Sequence, residues 1–263
     1  MSDEAGGGPS PRVETGRRTL TLRTASSPYA ADDGSADPAL AAVLAEHAAG
    51  RADVPAVLAA LAGARVLVPI LPHGREVAPT DDASRAAYDP AAREASAAVM
   101  GIATGDGRAA MPVFTSVAAL AAWRTDARPV PTPAAQAAHG ALAEGWPVLV
   151  LDPGGPVAVR LPRPAVVALA HGVAWRPAVA AGAVDDDVAA AVAAALAGID
   201  LVAGCRVLPG ERAEVAVELA VRPGLDRAGL ESVVARVNAA LAADPTVADR
   251  VDSLELKVRS ATG

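Results

Sequence analysis

The sequence is poor in several residue types, and each scarcity excludes a class of site or partner. Cys205 is the only cysteine among 263 residues, so neither an intramolecular disulfide nor a zinc site built from cysteines can form. Lys257 is the only lysine, the net charge is −7, and the densest basic feature is the pair Arg17 and Arg18. Because a nucleic-acid interface needs a basic face that neutralises phosphates, we expect no nucleic-acid partner.

Long apolar runs and aromatic residues are also scarce. No uninterrupted apolar segment approaches the roughly 18 residues that cross a membrane, and Asp3 and Glu4 stand where a secretory signal would be apolar. We therefore expect no membrane partner and a cytoplasmic location. With one Phe, three Trp and two Tyr, the core must be built mainly from Val, Leu and Ala.

The hydrophobic content and the length of the chain favour a folded protein of two domains. Hydrophobic residues make up 52% of the sequence, which excludes a disordered chain, and 263 residues are many for one core. The expected fold class is α/β in the α+β sense, with two small domains that each pack helices on a mixed or antiparallel sheet. The predicted organisation is a mostly disordered tail (1–36), an α/β domain (37–174), a linker (175–186) and a C-terminal domain (187–263).

The first half of the chain carries clear helix and strand signals. Asp37 followed by Pro38 predicts the start of a helix. The segment 65–71 predicts a strand, and because Pro69 cannot donate to a ladder, this strand should lie at a sheet edge or end near Pro69. The alternation of Leu20 and Leu22 with polar residues would allow a short strand in the tail.

Residues 73–114 combine a loop and a hairpin. The polar segment 73–94 predicts a surface loop whose length makes it a candidate functional loop. Residues 97–103 and 109–114 predict two antiparallel strands joined by a tight turn at Asp106 and Gly107.

The junction of a strand and a helix at residues 114–116 is a candidate binding site. A strand ends at Phe114, and Thr115 and Ser116 precede a short helix at 117–123. Ser116 is expected to cap that helix. A helix N-terminus with free amides and hydroxyls can also hold an anion, so binding of an anion or small molecule is an alternative hypothesis.

A second strand contributes one more residue to this candidate site. The segment 147–151 is apolar on both faces, which favours a position in the middle of a sheet. It ends at Asp152, followed by a Pro-Gly-Gly turn and an antiparallel partner strand around Val159 and Leu161. We therefore include Asp152 with the candidate residues at 114–116.

The C-terminal domain is predicted to have the order α-β-β-α-β, with one sheet face under two helices and the other open. Asp185, Asp186 and Asp187 precede its first helix, where acids are favoured by the helix dipole; since consecutive side chains diverge, capping is favoured over a metal site. The open face is a solvated surface or a partner-binding surface, with Glu218 and Glu255 as candidate binding residues. The charged residues expected on this face are Arg206, Glu214, Glu218, Glu255, Lys257 and Arg259.

The sequence indicates no catalytic apparatus. The four histidines have no metal-ligand spacing, and there is neither a Gly-x-Ser-x-Gly elbow nor a phosphate-cradling loop. We therefore expect no enzymatic activity, no cofactor and no metal.

Several short motifs occur in the middle of the chain: DGR at 106–108, MPVFTS at 111–116, Trp123, ARPVP at 127–131, LDPGGP at 151–156 and LPRP at 161–164. Together they resemble the SseB-type N-terminal domain family in its actinobacterial form, over roughly residues 55–175. The resemblance implies an α/β domain without an established enzymatic activity, named after a protein linked to serine sensitivity and sharing its label with a secreted virulence protein. Arg93 and Ala97 stand where relatives often have a lysine and a methionine.

Three functions are compatible with these observations. The leading hypothesis is a non-catalytic cytoplasmic SseB-family protein that acts as a protein-interaction or regulatory module, through a protein partner or self-association. The alternative is that the protein binds a small molecule or anion at residues 114–116, and this alternative includes an enzyme that acts on such a ligand. A secreted translocon component rests on the shared name alone and would require amphipathic or membrane-spanning helices, which the sequence does not indicate.

Overall fold

The structure, a computed structural model, describes residues 17–19, 29, 31–71 and 98–261. The chain separates into two compact units, a first unit of residues 1–174 and a second unit of residues 175–263. Within the described residues both units combine helices with mixed or antiparallel sheets, so the predicted α+β class is confirmed. The expected strand around Leu20 and Leu22 and the predicted loop 73–94, which contains Arg93, lie outside the described residues, as does Ala97.

The first helix of the first unit begins where the sequence predicts. The Asp37 side chain accepts hydrogen bonds from the amides of Ala39 and Leu40, at 2.9 and 3.0 Å, and Asp53 caps the next helix through the amide of Ala56. Each cap satisfies amides that have no partner within the helix. The helices are α1 (Pro38–Ala48), α2 (Val54–Ala62), α3 (Val117–Trp123), α4 (Ala134–Ala143) and α5 (Arg163–His171).

The strands of the first unit form two four-stranded sheets. The first is antiparallel and has the order β1 (Arg17–Thr19), β3 (Ala98–Met100), β2 (Arg65–Leu71), β6 (Arg128–Pro133). The second has the order β4 (Ile102–Ala103), β5 (Ala109–Val113), β7 (Val148–Leu151), β8 (Val159–Leu161), and only β5 and β7 are parallel.

Two hydrogen bonds join these sheets. The amide of Leu67 donates to the carbonyl of Phe114 at 2.8 Å, and the amide of Phe114 donates to the carbonyl of Leu67 at 2.9 Å. The end of β5 is thereby fixed against the middle of β2. As its apolar faces predict, β7 lies inside its sheet, between β5 and β8.

The prediction drawn from Pro69 for strand β2 is wrong. The strand continues to Leu71 and lies between β3 and β6, so it is neither an edge strand nor ended by Pro69. On the side of β3 and β5, β2 bonds to Phe114 at Leu67 and pairs with β3 from Ile70 onward, and Pro69 falls between these two contacts. Pro69 has no N–H to donate, and among the described residues the pairing of β2 on this side leaves its position out.

The strand predicted at residues 97–103 is interrupted. β3 pairs with β1 and β2, whereas β4 pairs antiparallel with β5 as predicted. The break falls at Gly101, where a Cβ atom would lie 3.4 Å from the ring of Trp146. Close packing of the backbone on this ring accompanies the passage of the chain from one sheet to the other.

The second unit has the predicted order α-β-β-α-β with one helix added. Its elements are β9 (Val179–Ala180), β10 (Ala183–Val184), α6 (Asp186–Leu196), β11 (Val202–Pro209), β12 (Val215–Val221), α7 (Arg227–Ala243), α8 (Pro245–Arg250) and β13 (Leu254–Ser260). In the three-stranded sheet β11 is antiparallel to β12, and β12 is parallel to β13. The segment predicted as a linker contains a short hairpin of β9 and β10.

One face of this sheet packs on the helices. Val188 and Val192 of α6 and Val237 of α7 are completely buried, together with Val217 and Leu219 of β12. Burial of one Val or Leu side chain contributes about 1.5 to 3 kcal/mol, so many small aliphatic side chains hold this unit together. The opposite face of the sheet carries the alternate residues of each strand.

Candidate functional site

Asp152 and Thr115 connect the ends of two parallel strands in the first unit. The Thr115 amide donates to Oδ1 of Asp152 at 2.8 Å, and the Thr115 hydroxyl donates to Oδ2 at 2.7 Å. The amide of Asp152 in turn donates to the carbonyl of Val113 at 2.9 Å. The carboxyl ends of β5 and β7 are thus joined by three hydrogen bonds, and both carboxylate oxygens of Asp152 have a partner.

The backbone and the burial of Asp152 are both unusual for an aspartate. Its φ is +47°, in the left-handed region, where Asp and Asn are more frequent than other non-glycine residues. The amide of Gly155 donates to the Asp152 carbonyl at 3.0 Å and closes the predicted turn. Burial raises the pKa of Asp152, while the hydrogen bonds from Thr115 oppose this rise.

Ser116 caps α3 as expected. Its hydroxyl oxygen accepts a hydrogen bond from the amide of Ala119 at 3.1 Å. The first amide of the helix, that of Val117, donates to the carbonyl of Gly34 at 2.8 Å. Since these two donors and the amide of Thr115 bond to the protein itself, an anion here would have to displace internal partners. Anion binding at this junction stays a prediction.

Phe114 is part of the core rather than of a surface. Its side chain is completely buried, and its ring packs against that of Trp123 with the centroids 5.1 Å apart. Of the four residues predicted here, the structure brings Thr115 and Asp152 into direct contact, places Ser116 at the helix cap and buries Phe114 beside them.

Sequence reasoning missed an ion pair next to these residues. Arg65 donates to both carboxylate oxygens of Asp32, through Nη2 at 2.9 Å and through Nε, and it also donates to the carbonyls of Thr115 and Ser35. The side chains of Arg65 and Asp32 are only 10% and 15% exposed. The hydrogen bond from Arg65 lowers the pKa of Asp32 to about 2. Asp32 was assigned to the tail, and no sequence signal linked it to a residue 33 positions away.

The open face of the second unit is defined by the strand residues that point away from the helices. Cys205 and Val207 pack against the helix-covered core, and their neighbours along β11 therefore point to the other side. The open face comprises Gly204, Arg206 and Leu208 of β11, Ala216, Glu218 and Ala220 of β12, and Glu255, Lys257 and Arg259 of β13.

A row of alternating charge crosses this face. Arg206, Glu218 and Lys257 occupy neighbouring positions on β11, β12 and β13, and we call these three residues the charged row. Arg206 and Glu218 form an ion pair of 3.3 Å, in which the side chains are 61% and 25% exposed. Lys257 donates to Glu211 at 3.2 Å. The predicted binding residue Glu218 therefore lies at the centre of an accessible row.

Glu255, the second residue predicted on this face, holds a turn. Its Oε1 accepts from the amide of Glu211 at 2.8 Å and its Oε2 accepts from Nε of Arg212 at 3.1 Å, which leaves the side chain 8% exposed. These hydrogen bonds, above all the one from the Glu211 amide, lower the pKa of Glu255. The turn is compact, since a Cβ at Gly210 would lie 2.2 Å from the carbonyl oxygen of Ala213. Glu214 accepts from the amide of Asp252.

Asp185, the first of the three consecutive aspartates at the start of α6, is bonded to other residues of the chain. Asp185 accepts from the amide of Asp187 and forms ion pairs of 2.8 Å with Arg250 and 2.9 Å with Arg176. The hydrogen bond from Arg250 lowers the pKa of Asp185 to about 2. Within residues 31–71 and 98–261 no group of three or more acidic, histidine or cysteine side chains is arranged to hold a metal.

The described architecture defines a two-unit α+β protein whose first unit contains a parallel strand pair closed by an aspartate turn. Residues 40–168 match the family described as SseB protein N-terminal domain. Residues 40–168 therefore form an SseB N-terminal domain, which confirms the resemblance seen in the motifs. The actinobacterial form stays a prediction. The chain shows no significant similarity to a curated protein or to a solved structure. No helix in the described part is long and apolar enough to cross a membrane.

Proposed function

We propose that the protein is a non-catalytic cytoplasmic module that binds another protein through the open face of its second unit. The observation that carries this proposal is the charged row, which lies accessible on a sheet whose other face is already covered by helices. A partner of matching chemistry would place a carboxylate opposite Arg206 and Lys257 and a cation opposite Glu218. Such complementarity contributes more to specificity and association rate than to affinity.

The proposal of a non-catalytic role is supported by the way the polar groups at residues 115–116 and at Asp152 are used. Each of the hydrogen bonds described there closes a strand end or a helix end. The polar groups of Thr115, Ser116 and Asp152 therefore stabilise the fold, and a catalytic role is not needed to explain them.

A pair of charge reversals tests the proposed surface. Full-length tagged protein should retain a protein partner from native lysate at low salt in near-stoichiometric amounts. Glu218→Lys should abolish this retention because it makes the charged row uniformly positive. Glu231→Lys is the matched control, since it breaks the exposed Arg227–Glu231 pair on α7 with the same change of charge. Equal retention by both variants would reject the open face as the binding surface.

The second candidate function is binding of a small molecule or anion near Ser116 and Asp152. The observation that favours it is Asp152 itself, a partly buried carboxylate with a raised pKa at the carboxyl end of a parallel strand, where ligands of α/β proteins commonly bind. A thermal-shift screen of small anions and metabolites against the wild type and Asp152→Asn tests it. A ligand that stabilises the wild type alone would support this function, and no hit would count against it.

A further inference from the structure

Strand β13 has an outer edge that no described strand covers. β13 pairs only with β12 within the described residues, so one side of its backbone is directed away from the sheet. The carbonyl of Ser253 accepts from the amide of Val215, and the amide of Ala261 donates to the carbonyl of Val221. Since both groups of one residue point to the same side of a strand, the odd-numbered residues of β13 face β12. The amides and carbonyls of the even-numbered residues, 254 to 260, face outward.

A second edge strand in the same chain shows how such an edge can be blocked. In β6 the amide of Ala134 donates to Ala64, so the even-numbered residues face β2 and the odd-numbered residues face outward. The three odd-numbered residues are Pro129, Pro131 and Pro133, which have no N–H to offer a further strand. Prolines of this kind are a common protection against pairing between molecules. The outward positions of β13 carry no proline.

The side chains of β13 are complementary to themselves in an antiparallel arrangement. If two copies of the strand pair about a two-fold axis at Leu256, Glu255 of each copy lies opposite Lys257 of the other. Leu254 then lies opposite Val258, and Leu256 opposite Leu256, on the other face of the sheet. Paired aliphatic side chains at directly facing positions stabilise antiparallel strands. The Glu255 carboxylate stays bonded to Glu211 and Arg212 of its own chain, so its contribution here is that no like charges face each other in this register.

The exposure of β13 is in keeping with such a contact. Val258 is 41% exposed although it lies on the same side of the strand as Leu254 and Leu256, which pack against the core. Pairing with a second strand would bring Val258 against Leu254 of that strand and remove apolar surface from water.

We infer that the protein self-associates through β13, which pairs antiparallel with β13 of a second copy in the register centred on Leu256. The two three-stranded sheets then form one six-stranded sheet with a two-fold axis. This inference rests on the proposed function in that it assigns the second unit as the interacting part. The β13 pairing leaves the open face of each copy accessible, so the dimer presents two open faces.

The oligomeric state of the purified full-length protein tests this pairing. Light scattering during size-exclusion chromatography should give twice the mass of one chain. Val258→Pro should give a monomer, because it removes an outward N–H without touching the ladder to β12. Val258→Thr, which keeps that N–H, should stay a dimer. Circular dichroism and melting temperature show whether both variants fold. A monomeric wild type, or a folded Val258→Pro dimer, would overturn the inference.

Cysteine cross-linking tests the register. In a Cys205→Ala background, Leu256→Cys should form a disulfide-linked dimer under mild oxidation, since facing Cα atoms lie about 5.5 Å apart. Lys257→Cys should not, because its two copies are offset in this register. Cross-linking of Lys257→Cys in place of Leu256→Cys would overturn the register. The self-pairing and the open-face proposal can fail separately. If the wild type is a monomer and Glu218→Lys still loses the protein partner, only the self-pairing is rejected. If the protein is a β13 dimer and Glu218→Lys still retains the protein partner, only the open face is rejected.

Discussion

At the scale of single residues, the first unit depends on polar side chains that connect distant segments. Asp152 closes the ends of β5 and β7 through Thr115, and the carbonyl of Thr115 accepts from Arg65, which is bound to Asp32. The segment around Asp32, β2 and the aspartate turn are therefore linked through one chain of hydrogen bonds. A buried polar group that loses its partner costs more than the net contribution of the bond.

Substitutions of Asp152 should separate its hydrogen bonds from its backbone conformation. Asp152→Ala leaves the amide and hydroxyl of Thr115 without partners and puts a less tolerant residue at positive φ, so we expect a loss of about 1 to 3 kcal/mol. Asp152→Asn keeps one acceptor and tolerates this φ, so its loss should be smaller. Urea unfolding followed by the fluorescence of Trp123 and Trp146, in a Trp175→Phe background, measures both. Equal stability of the two variants would contradict the assigned role.

The ion pair of Asp32 predicts a specific pH dependence. Its pKa is about 2 in the folded protein and near the ordinary aspartate value of 3.8 in the unfolded chain. The pair therefore stabilises the fold above about pH 4 and loses this effect as the pH falls toward 2. Asp32→Asn should therefore be less stable than the wild type at neutral pH, by about 1.5 to 3 kcal/mol. Melting temperatures of the two proteins should converge as the pH is lowered. A constant difference down to pH 2 would argue against the ion pair.

At the scale of elements, the contact of residues 31–36 with α3 depends on one glycine. Gly34 has a φ of +79°, and a Cβ atom there would lie 2.6 Å from Cγ2 of Val117. Its carbonyl also accepts from the first amide of α3. The Gly34 carbonyl therefore satisfies the amide of Val117, whereas the Ser116 cap satisfies the amide of Ala119.

Two glycine substitutions should differ in their effect on stability. Gly34→Ala introduces both a strained φ and a steric clash, and we expect a loss of about 1 to 3 kcal/mol. Gly63→Ala is the matched control, since Gly63 has a φ of −91° and open space around its Cβ position. Differential scanning calorimetry should show a lower melting temperature for the first variant and little change for the second. A neutral Gly34→Ala would mean that the segment does not pack on α3 in solution.

Local signals predicted most helices and strands, and long-range contacts account for what they missed. Asp37 with Pro38 marked α1, and the same pair at Asp244 and Pro245 marks α8, although this helix was not predicted. The position of Pro69 inside a sheet depends on where Phe114 and β3 meet β2, which no local pattern contains. The same holds at the site, where the cap at Ser116 was predictable and the Arg65–Asp32 pair was not.

At the scale of the whole molecule, the chain consists of two compact units. The apolar cluster of the second unit draws all its residues from positions 178 to 256. We therefore expect a fragment of residues 175–263 to fold by itself and to melt cooperatively by far-UV circular dichroism. A fragment without a cooperative transition would show that its core depends on the first unit.

Hydrogen–deuterium exchange would locate the binding surface directly, if it is measured on the full-length protein both free and as retained with its partner from lysate. The proposed function predicts that binding slows exchange in peptides covering β11, β12 and β13 and leaves residues 113–116 and 152–156 unchanged. Slower exchange confined to residues 113–116 and 152–156, with the sheet of the second unit unchanged, would contradict the account and move the binding surface to the aspartate turn of the first unit.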